Sequence, residues 1–520
     1  MGVRALVPFI QKTCPDVIKK LPNRFQSLKG KTVVVDGTLI TQRLHFAPVP
    51  HTYRHVLGWF RLMQEFRESG VNAICVFDGK QRSEAKQNEI ERRRRIRHID
   101  TARGLIESER LRRFGAISHL LASTKKLAPN ERARVSKLLR SSIDRARRTP
   151  LPLCPTGPLD LDTLDKVLDR LAEDIVGDGP PTDALIDSLI EASADVSSPA
   201  PSDQQDLSAA FLDLYLDFRR SVSTLDVLPA CDGTAAGSEE EQAQVAMSRA
   251  QALLAREEGA FWQSLVSEDD DMGVLSGDRL SKIFEKSTFM AESYLRRSSP
   301  PTDETYAESR SILNAMGVPV VVTSGPYEAE ALASSMVLRG LADYVASEDT
   351  DVLVYEAPLI RNITTRKDPL VLIQGGDVRA ALALSQASFI DFALLLGTDF
   401  APRIRNVGPI RALRLIRAYA RIENALQDPL ASGASDTDAY LAAVRRARDV
   451  FNTLPPIPEE DEIRQGEYDS DKVNAIMMKF RLQRHVMPND WDFSAPLAGN
   501  YFDDDPHLFV TPPTSPSTSL

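Results

Sequence analysis

The sequence predicts an α/β fold, and three consecutive stretches carry that prediction. Residues 31–40, KTVVVDGTLI, contain a β-branched run that is typical of a buried strand. This run ends at Asp36. Residues 55–70, HVLGWFRLMQEFRESG, space their apolar side chains as an amphipathic helix does. Residues 71–80, VNAICVFDGK, predict a second strand that ends at Asp78. Because ligands gather at the carboxyl ends of strands in open α/β sheets, both aspartates are candidate ligands.

The α/β pattern resumes after residue 303. Helix, strand and helix are predicted in turn, and the second helix is expected to start at Pro326, because proline suits the first helical turn. Two strand-like pieces then flank a group of acids, and a last helix ends near Asp399. The stretches are ETYAESRSILNAMG, VPVVVTSG, PYEAEALASSMVLRG, LADYVASEDTDVLVY and FIDFALLLGTDF.

Charge is segregated along the 520-residue chain, whose net charge of −10 would by itself argue against nucleic-acid binding. From Arg82 to Pro150 there are 20 Lys/Arg against 8 Asp/Glu, and from Leu151 to Leu280 there are 7 against 27. The basic block predicts long helices. Their basic surface is either a nucleic-acid patch or, alternatively, a solvated helix face or a nuclear-targeting signal. The acidic block, punctuated by Pro, Gly and Ser, predicts a partly helical, partly disordered insertion.

Composition excludes several classes of protein. No apolar run approaches the 18 residues of a membrane span. The four cysteines are scattered without a CxxC pair, and no His-rich cluster follows the strands, which disfavours zinc. A GxxxxGK[ST] loop is absent, which argues against an ATPase or kinase of that class.

Seven carboxylates follow predicted strands or flank predicted helices. A single Asp in such a place is usually a turn or cap residue, but Glu328 and Glu330 both reach beyond one helix start. Asp349 and Asp351, two apart in an extended segment, project from one side. Crowded like charges need a counter-ion, and hard oxygen ligands suit Mg²⁺, with seven acids favouring two ions. The set is Asp36, Asp78, Glu328, Glu330, Asp349, Asp351 and Asp399.

Several motifs, in order, resemble the flap endonuclease / xeroderma pigmentosum group G (XPG/Rad2) family of structure-specific 5′ nucleases. The motifs are MGVRALVPFI, VVVDGT, VFDGK, GPYEAEA, SEDTDVLVY, LLGTDF and NVGPIRAL. The resemblance implies a PIN-like domain with a central, mostly parallel sheet flanked by helices, and a helix–hairpin–helix (H2TH) region. It implies a Mg²⁺-dependent enzyme that cuts branched or 5′-ended DNA by flap endonuclease or 5′–3′ exonuclease action, in DNA repair or replication.

The resemblance also assigns roles to individual residues. The seven acids become ligands of two Mg²⁺ ions, for which Mn²⁺ can substitute. Lys86 and either Arg92 or Arg93 would contact the scissile phosphate. A K⁺ ion would sit at the helix–hairpin–helix. The DNA-binding candidates are Gly2, Arg94, Arg95, Asn406, Gly408 and Arg411.

The chain departs from the family pattern at three positions. Asn406 replaces the first hairpin glycine, Ile410 replaces a lysine, and Gln42 stands where an aromatic residue is expected, so any base stacking must come from elsewhere. The tail lacks a sliding-clamp motif. The acidic segment is either a partner-binding region or a tolerated surface insertion.

The predicted domain organisation separates nuclease, gateway and insertion. We expect deletion of residues 155–295 to leave a folded nuclease core. The alternatives to a DNA nuclease are a scaffold that binds nucleic acid or protein without cutting and an RNA-directed nuclease. The function implies a nuclear location, with the mitochondrion as the alternative. The expected boundaries are 1–100 and 303–400 for the nuclease domain, 101–150 for a basic helical gateway, 151–302 for the insertion, 401–450 for the helix–hairpin–helix and 451–520 for a C-terminal extension with a disordered tail.

Overall fold

A computed structural model of the chain describes residues 2–47, 51–81, 83–149, 204–228, 239–265, 275–365, 368–404, 407–428 and 437–483. The described residues fall into two compact units. Those within Met1–Arg92 and Pro300–Asp503 form the sheet unit, and those within Arg93–Ser299 form the helical unit. The expected disordered parts of the insertion and tail lie outside the described residues.

The described strands of the sheet unit form one seven-stranded sheet in the order β1-β7-β6-β5-β2-β3-β4. Strands β6, β5, β2, β3 and β4 run parallel to one another, while β7 runs antiparallel to both β1 and β6. The predicted mostly parallel sheet is therefore confirmed. The strands are β1 Ile18–Leu21, β2 Thr32–Asp36, β3 Asn72–Phe77, β4 Val320–Val322, β5 Tyr344–Ala346, β6 Pro358–Arg361 and β7 Leu370–Gln374.

Helices cover both faces of this sheet, as the two separate hydrophobic clusters of the unit require. In chain order the helices of the sheet unit are α1 Leu6–Thr13, α2 Gly37–Phe46, α3 Arg54–Glu68, α9 Asp303–Ala315, α10 Ala329–Leu338, α11 Asp351–Val354, α12 Gly375–Ala381, α13 Gln386–Leu396, α14 Pro409–Tyr419, α15 Ile422–Ala425, α16 Thr437–Asn452 and α17 Ser470–Lys479. Helix α4, Gln87–Lys125, starts in the sheet unit and continues into the helical unit.

The central strands bring the predicted acids to one edge. Strand β2 lies between β3 and β5, and Asp36 pairs in register with Val76, two residues before Asp78. Val35 pairs with Ala346, the last residue of β5, so the SEDTD turn begins beside Asp36. Parallel strands end at the same edge, and the acids collect there for that reason.

The prediction that DVLVY is a strand-like piece is wrong, because β5 ends at Ala346 and Asp351 starts the short helix α11. Two local hydrogen bonds turn the chain. The backbone N–H of Asp349 donates to Ser347 Oγ at 2.9 Å, and that of Asp351 donates to Asp349 Oδ1 at 2.8 Å. Short polar side chains that accept backbone N–H groups compete with strand pairing in this way. The two aspartates are therefore placed by a turn and a helix start, not by strand alternation.

Helix α10 begins three residues later than predicted. Pro326 precedes the helix, Glu328 is its N-cap in extended conformation, and Ala329 is its first residue. The N-cap carboxylate makes no capping hydrogen bond to its own helix. Its side chain is instead available to the site described below.

The predicted boundary between gateway and insertion does not coincide with the structure. Helix α5, Pro129–Arg148, and the C-terminal part of α4 share one hydrophobic core with α6 Gln204–Val227, α7 Glu239–Leu265 and α8 Leu275–Ser298. Phe114 and Leu139 from the basic block pack in the same cluster as Phe211 and Trp262 from the acidic block. The two blocks are thus one helical unit in their described parts, since each supplies part of its core.

Among the described residues, no single helix is long and apolar enough to cross a membrane. Helices α12 and α13 meet the length and apolarity test only as a pair, and they are bent by 92° relative to each other.

Candidate metal centre

Three buried carboxylates meet at the carboxyl edge of the sheet. Glu330, in the first turn of α10, lies beside Asp349 and Asp351, and their nearest oxygens are all within 4.8 Å of one another. Their residues are at most 8 % exposed. Carboxylate oxygens at this spacing are the donors that a hard divalent cation takes. This acidic cluster, as the three residues are called below, can therefore hold a divalent metal ion.

Hydrogen bonds connect Asp36 and Asp78 to the elements that carry the acidic cluster. Ser347 Oγ donates to Asp36 Oδ2 at 2.9 Å while accepting the backbone N–H of Asp349, so it links β2 to the turn. The backbone N–H of Asp78 donates to Thr38 Oγ1 at 2.7 Å. Asp78 Oδ1 in turn accepts the N–H of Ala329, at 2.8 Å, and so holds the start of α10. The strand-end acids are thus tied to the elements that carry the cluster.

Lys86 connects the remaining two acids. Its Nζ donates to Glu328 Oε1 at 2.7 Å and lies 3.4 Å from Asp399 Oδ2. All three side chains are largely buried, at 15, 6 and 12 % exposure. The same ammonium lies 5.6 Å from the centroid of the Phe400 ring. The structure therefore brings the predicted lysine and all seven predicted acids to one region.

Gly2 lies directly against the acidic cluster. Its backbone has a φ of +77°, and a Cβ built on it would lie 2.2 Å from Asp349 Oδ1 and 2.7 Å from the backbone nitrogen of Asp351. No side chain fits there, so the predicted Gly2 is adjacent to the centre through its backbone. Neighbouring contacts seat this segment, because the N–H of Arg4 donates to the carbonyl of Gly397 at 3.0 Å.

Burial and mutual repulsion disfavour the ionised form of several of these acids. Burial, followed by the charge of Asp78, raises the pKa of Asp36 to about 7. Burial and then neighbouring carboxylates raise the pKa of Glu330 and of Asp351 well above their ordinary values. In the described part of the chain, the buried Asp351 Oδ1 has no hydrogen-bond partner. A divalent cation would satisfy this oxygen and offset the repulsion, so the residues present fit a metal ion.

Glu328 differs from these acids in the direction of its pKa. Burial opposes its ionisation, but Lys86 and hydrogen bonds to the carboxylate outweigh burial and hold its pKa below the ordinary value. The Glu328 carboxylate therefore stays charged at neutral pH without a metal, and it keeps Lys86 at the rim of the centre.

Comparison with known proteins identifies the same two regions. The XPG N-terminal domain matches residues 1–99, and the XPG I-region matches residues 317–399. The chain therefore contains both XPG regions. Both XPG regions contribute to the centre: the first carries Gly2, Asp36, Asp78 and Lys86, and the second carries the remaining acids.

Individual relatives differ in how much of the chain they cover. Flap endonuclease 1 of Methanosarcina barkeri is 33% identical over 202 residues, which are 36% of this chain and 56% of that protein. The chain thus spans little more than half of this flap endonuclease. An uncharacterized protein of Schizosaccharomyces pombe is 26% identical over 453 residues, 82% of this chain and 81% of that protein. The structure of flap endonuclease-1 from Methanococcus jannaschii aligns with a TM-score of 0.41 at 16% identity, covering 91% of this chain and 95% of that one.

The predicted arginines are placed differently from Lys86. Arg92 makes a two-pronged ion pair with Glu89, with both N–O distances at 2.7 Å. Arg93, Arg94 and Arg95 belong to the helical unit, where Arg94 and Arg95 are exposed on α4. The choice between Arg92 and Arg93 stays a prediction.

The predicted hairpin is only partly described. Asn406 lies outside the described residues. Gly408 is the N-cap of α14, with Pro409 at its first position, and Arg411 is exposed in its first turn. The K⁺ site stays a prediction.

Two residues of the acidic turn have roles that the sequence did not reveal. Glu348 faces away from the acidic cluster and pairs with Arg361 at 2.9 Å and with Arg43 at 3.7 Å. It also accepts the backbone N–H of Asn362 at 2.6 Å. Ser347 bridges Asp36 and Asp349, as described above. No local pattern distinguishes Glu348 from its neighbours, because its partners come from α2 and β6.

Substituting Gly2 by alanine is expected to weaken divalent-metal binding roughly tenfold or more, because the new methyl group would displace Asp349 and the backbone of Asp351. Gly30→Ala is the matched control, because Gly30 has a φ of +76° but no neighbouring atom within 4 Å of the place that a Cβ would occupy. Mn²⁺ titration followed by electron paramagnetic resonance measures the effect. Equal affinities in the two variants would show that Gly2 matters only through backbone strain.

The metal-free protein is expected to lose stability as pH rises from about 4 to about 7, the interval between the ordinary and raised pKa of Asp36. A carboxyl whose pKa is raised by folding stabilises the folded state while protonated and destabilises it once ionised. Adding a divalent metal should remove most of this loss at neutral pH. Thermal melts across this interval, with EDTA or with Mg²⁺, measure both trends. A metal-free melting temperature that rises steadily over the interval would contradict the argument.

Proposed function

We propose that this chain is a metal-dependent 5′ nuclease that hydrolyses phosphodiester bonds in branched or 5′-ended DNA. The observation that carries the proposal is the acidic cluster of Glu330, Asp349 and Asp351, beside a buried lysine, in a chain that matches both XPG regions. A phosphodiester hydrolase needs these two elements together, a hard-cation site and a positive group for the phosphate.

The metal we propose is Mg²⁺, bound as two ions. The acidic cluster would hold one ion, and Asp36 and Asp78, linked to it through Ser347 and α10, would help to hold the second. When bound, the metals lower the pKa of a water molecule and stabilise the oxygens on either side of the phosphorus. The protein's own contribution is to fix buried carboxylates in one place, so that little reorganisation accompanies the reaction.

Lys86 would contact the cleaved phosphate. Its ammonium is held by Glu328 and Asp399, so it is positioned before a substrate arrives. A phosphate that enters beside it brings the negative charge that the ammonium offsets as the transition state forms. We expect Arg92 or Arg93 to assist, which would require Arg92 to exchange its pairing with Glu89.

The basic helices support DNA as the substrate. Burial, followed by the charges of Arg93 and Arg94, lowers the pKa of Arg97, a sign of crowded positive charge on α4. Helix α5 adds exposed basic residues, among them Lys137, Arg145 and Arg148. Such a surface attracts phosphates without selecting a sequence, which fits recognition of DNA shape.

Cleavage of an end-labelled 5′-flap duplex tests the proposal. We expect products near the junction with Mg²⁺ and none with EDTA. A 3′-flap duplex and a matched RNA flap report the polarity and the sugar preference. If the protein binds the DNA flap but leaves it intact in Mg²⁺ and Mn²⁺, the scaffold hypothesis replaces this proposal. Cutting of the RNA flap alone would make the chain an RNA nuclease.

A further inference from the structure

A cavity of about 310 Å³ lies next to the metal centre, within the sheet unit. Its lining includes the buried Ala331, Tyr355 and Phe400, which form the floor, and the more exposed Tyr327, Arg446 and Asp449, which form the rim. Glu328 lines it as well, so the acid that holds Lys86 forms part of both the cavity and the centre. Its volume is at the lower end of the range for small-molecule sites, large enough for one ring system.

The lining suits a flat group with polar edges. The floor is apolar and aromatic, while the rim carries a donor in Arg446 and an acceptor in Asp449. A nucleobase has two π-faces that stack on aromatic rings and an edge with both donors and acceptors. A free phosphate fits less well, because Glu84, Glu328 and Asp449 all contribute carboxylates to the lining.

The rim is firmly held. Arg446 and Asp449 lie one turn apart on α16, where they face the same side. Between them, Arg448 points elsewhere and anchors the helix, with two 2.7 Å hydrogen bonds to the buried Asp391 and further bonds to Glu423. The two rim charges are therefore presented by a fixed helix, as a specific site requires.

We propose that this cavity receives one unstacked nucleobase of the cleaved strand, next to the phosphodiester bond that is cut. The inference rests on the proposed function and adds a subsite to it. Lys86 forms the connection, because its Nζ contacts Glu328 at 2.7 Å and approaches the Phe400 ring at 5.6 Å. A base on the cavity floor would thus lie beside the group that contacts the phosphate. Arg446 and Asp449 would then bind the edge of the base.

Photocrosslinking tests the placement without relying on cleavage. The full-length chain is bound, in Ca²⁺, to flap duplexes that carry 4-thiothymine at one position each, scanned across the junction. After irradiation, the crosslinked peptides are mapped by mass spectrometry. We expect crosslinks to Tyr327 or Phe400 from one position only. No crosslink to the cavity lining from any position, or equal crosslinking from all positions, would overturn the proposal.

Cleavage kinetics provide an independent test at the position so found. Removing that base from the substrate should lower the kcat/KM of the wild type roughly tenfold or more, as loss of a stacked base does. Tyr327→Ala and Asp449→Ala should make the enzyme nearly indifferent to the missing base. Arg445→Ala, an exposed residue of α16 outside the lining, is the control and should respond like the wild type.

The two proposals fail in different ways. If both cavity variants lose the same factor as the wild type on the abasic substrate, the cavity does not hold the base. If the wild type cuts no substrate, the proposed nuclease function fails, and the crosslink map still decides whether a base enters the cavity.

Discussion

Asp351→Asn is expected to abolish cleavage of a 5′-flap duplex, with a loss of roughly a thousandfold or more. Asp351 is 2% exposed, and within the described residues its Oδ1 has no hydrogen-bond partner. The side chain belongs to the acidic cluster with Glu330 and Asp349, and asparagine removes the charge that a metal needs there. Binding to the flap should change little, because the basic helices are untouched. Cleavage and binding assays on the same flap measure the two effects.

The same substitution should stabilise the protein when no metal is present. Burial, Asp349 and Asp399 all raise the pKa of Asp351, which means that its ionised form destabilises the folded state near neutral pH. Asparagine has nearly the same shape and no charge. We therefore expect a higher melting temperature than wild type in EDTA, and a smaller gain on adding Mg²⁺.

Asp377→Asn is the matched control, because Asp377 is exposed at the start of α12 and outside the centre. It should change neither cleavage nor the response to metal. If Asp351→Asn cuts within roughly tenfold of wild type, Asp351 is not a metal ligand. If the variant melts lower than wild type in EDTA, Asp351 has a structural role that the acidic cluster does not explain.

The site was predictable where local pattern and topology coincide. Asp36 and Asp78 each end a β-branched or apolar run, and parallel strands bring such ends together. The acidic turn was harder, because its DVLVY run has the apolar content of either a strand or a short helix. Only the hydrogen bonds of Ser347 and Asp349 to following N–H groups select the turn and α11.

The features of the centre that the sequence did not predict depend on contacts between residues far apart in the chain. Glu348 is a carboxylate as buried as Asp349, yet its contacts stabilise the fold, because its partners are Arg361, 13 residues further along the chain, and Arg43 of α2. The cavity beside Glu328 combines α10 with α16, elements that lie far apart in the sequence. Neither spacing nor composition contains this information.

The segregated charge also has a role inside the helical unit, beside the predicted nucleic-acid surface. Arg110 and Arg113 of the basic block pair with Glu258 of the acidic block, at 2.8 and 3.1 Å, and all three side chains are at most 1% exposed. Glu107 and Gln251 complete the network, with Gln251 donating to Glu107 at 2.7 Å. Part of the opposite charge of the two blocks thus forms ion pairs inside one helical unit. Deletion of residues 155–295 should leave the sheet unit folded but remove the core partners of α4 and α5.

Glu258→Ala is expected to destabilise the helical unit by about 3–5 kcal/mol, because it leaves two buried guanidinium groups without their shared carboxylate. Glu257→Ala is a matched control one residue away. Glu257 pairs at 2.8 Å with Lys286, and both side chains are partly exposed, at 33 and 38%. A partly exposed pair contributes about 1 kcal/mol or less. Urea unfolding of the two variants measures the difference.

Hydrogen exchange shows where the effect of Glu258→Ala is located. The helical unit has its own hydrophobic clusters, separate from the two clusters of the sheet unit. Peptides from α4 to α8 should therefore exchange faster, while peptides from β2 and β3 should keep their protection. Flap cleavage should fall although the acidic cluster is unchanged, if the basic helices hold the DNA. Equal loss of protection in both units would mean that they unfold together, and loss no larger than in Glu257→Ala would mean that the buried network contributes little.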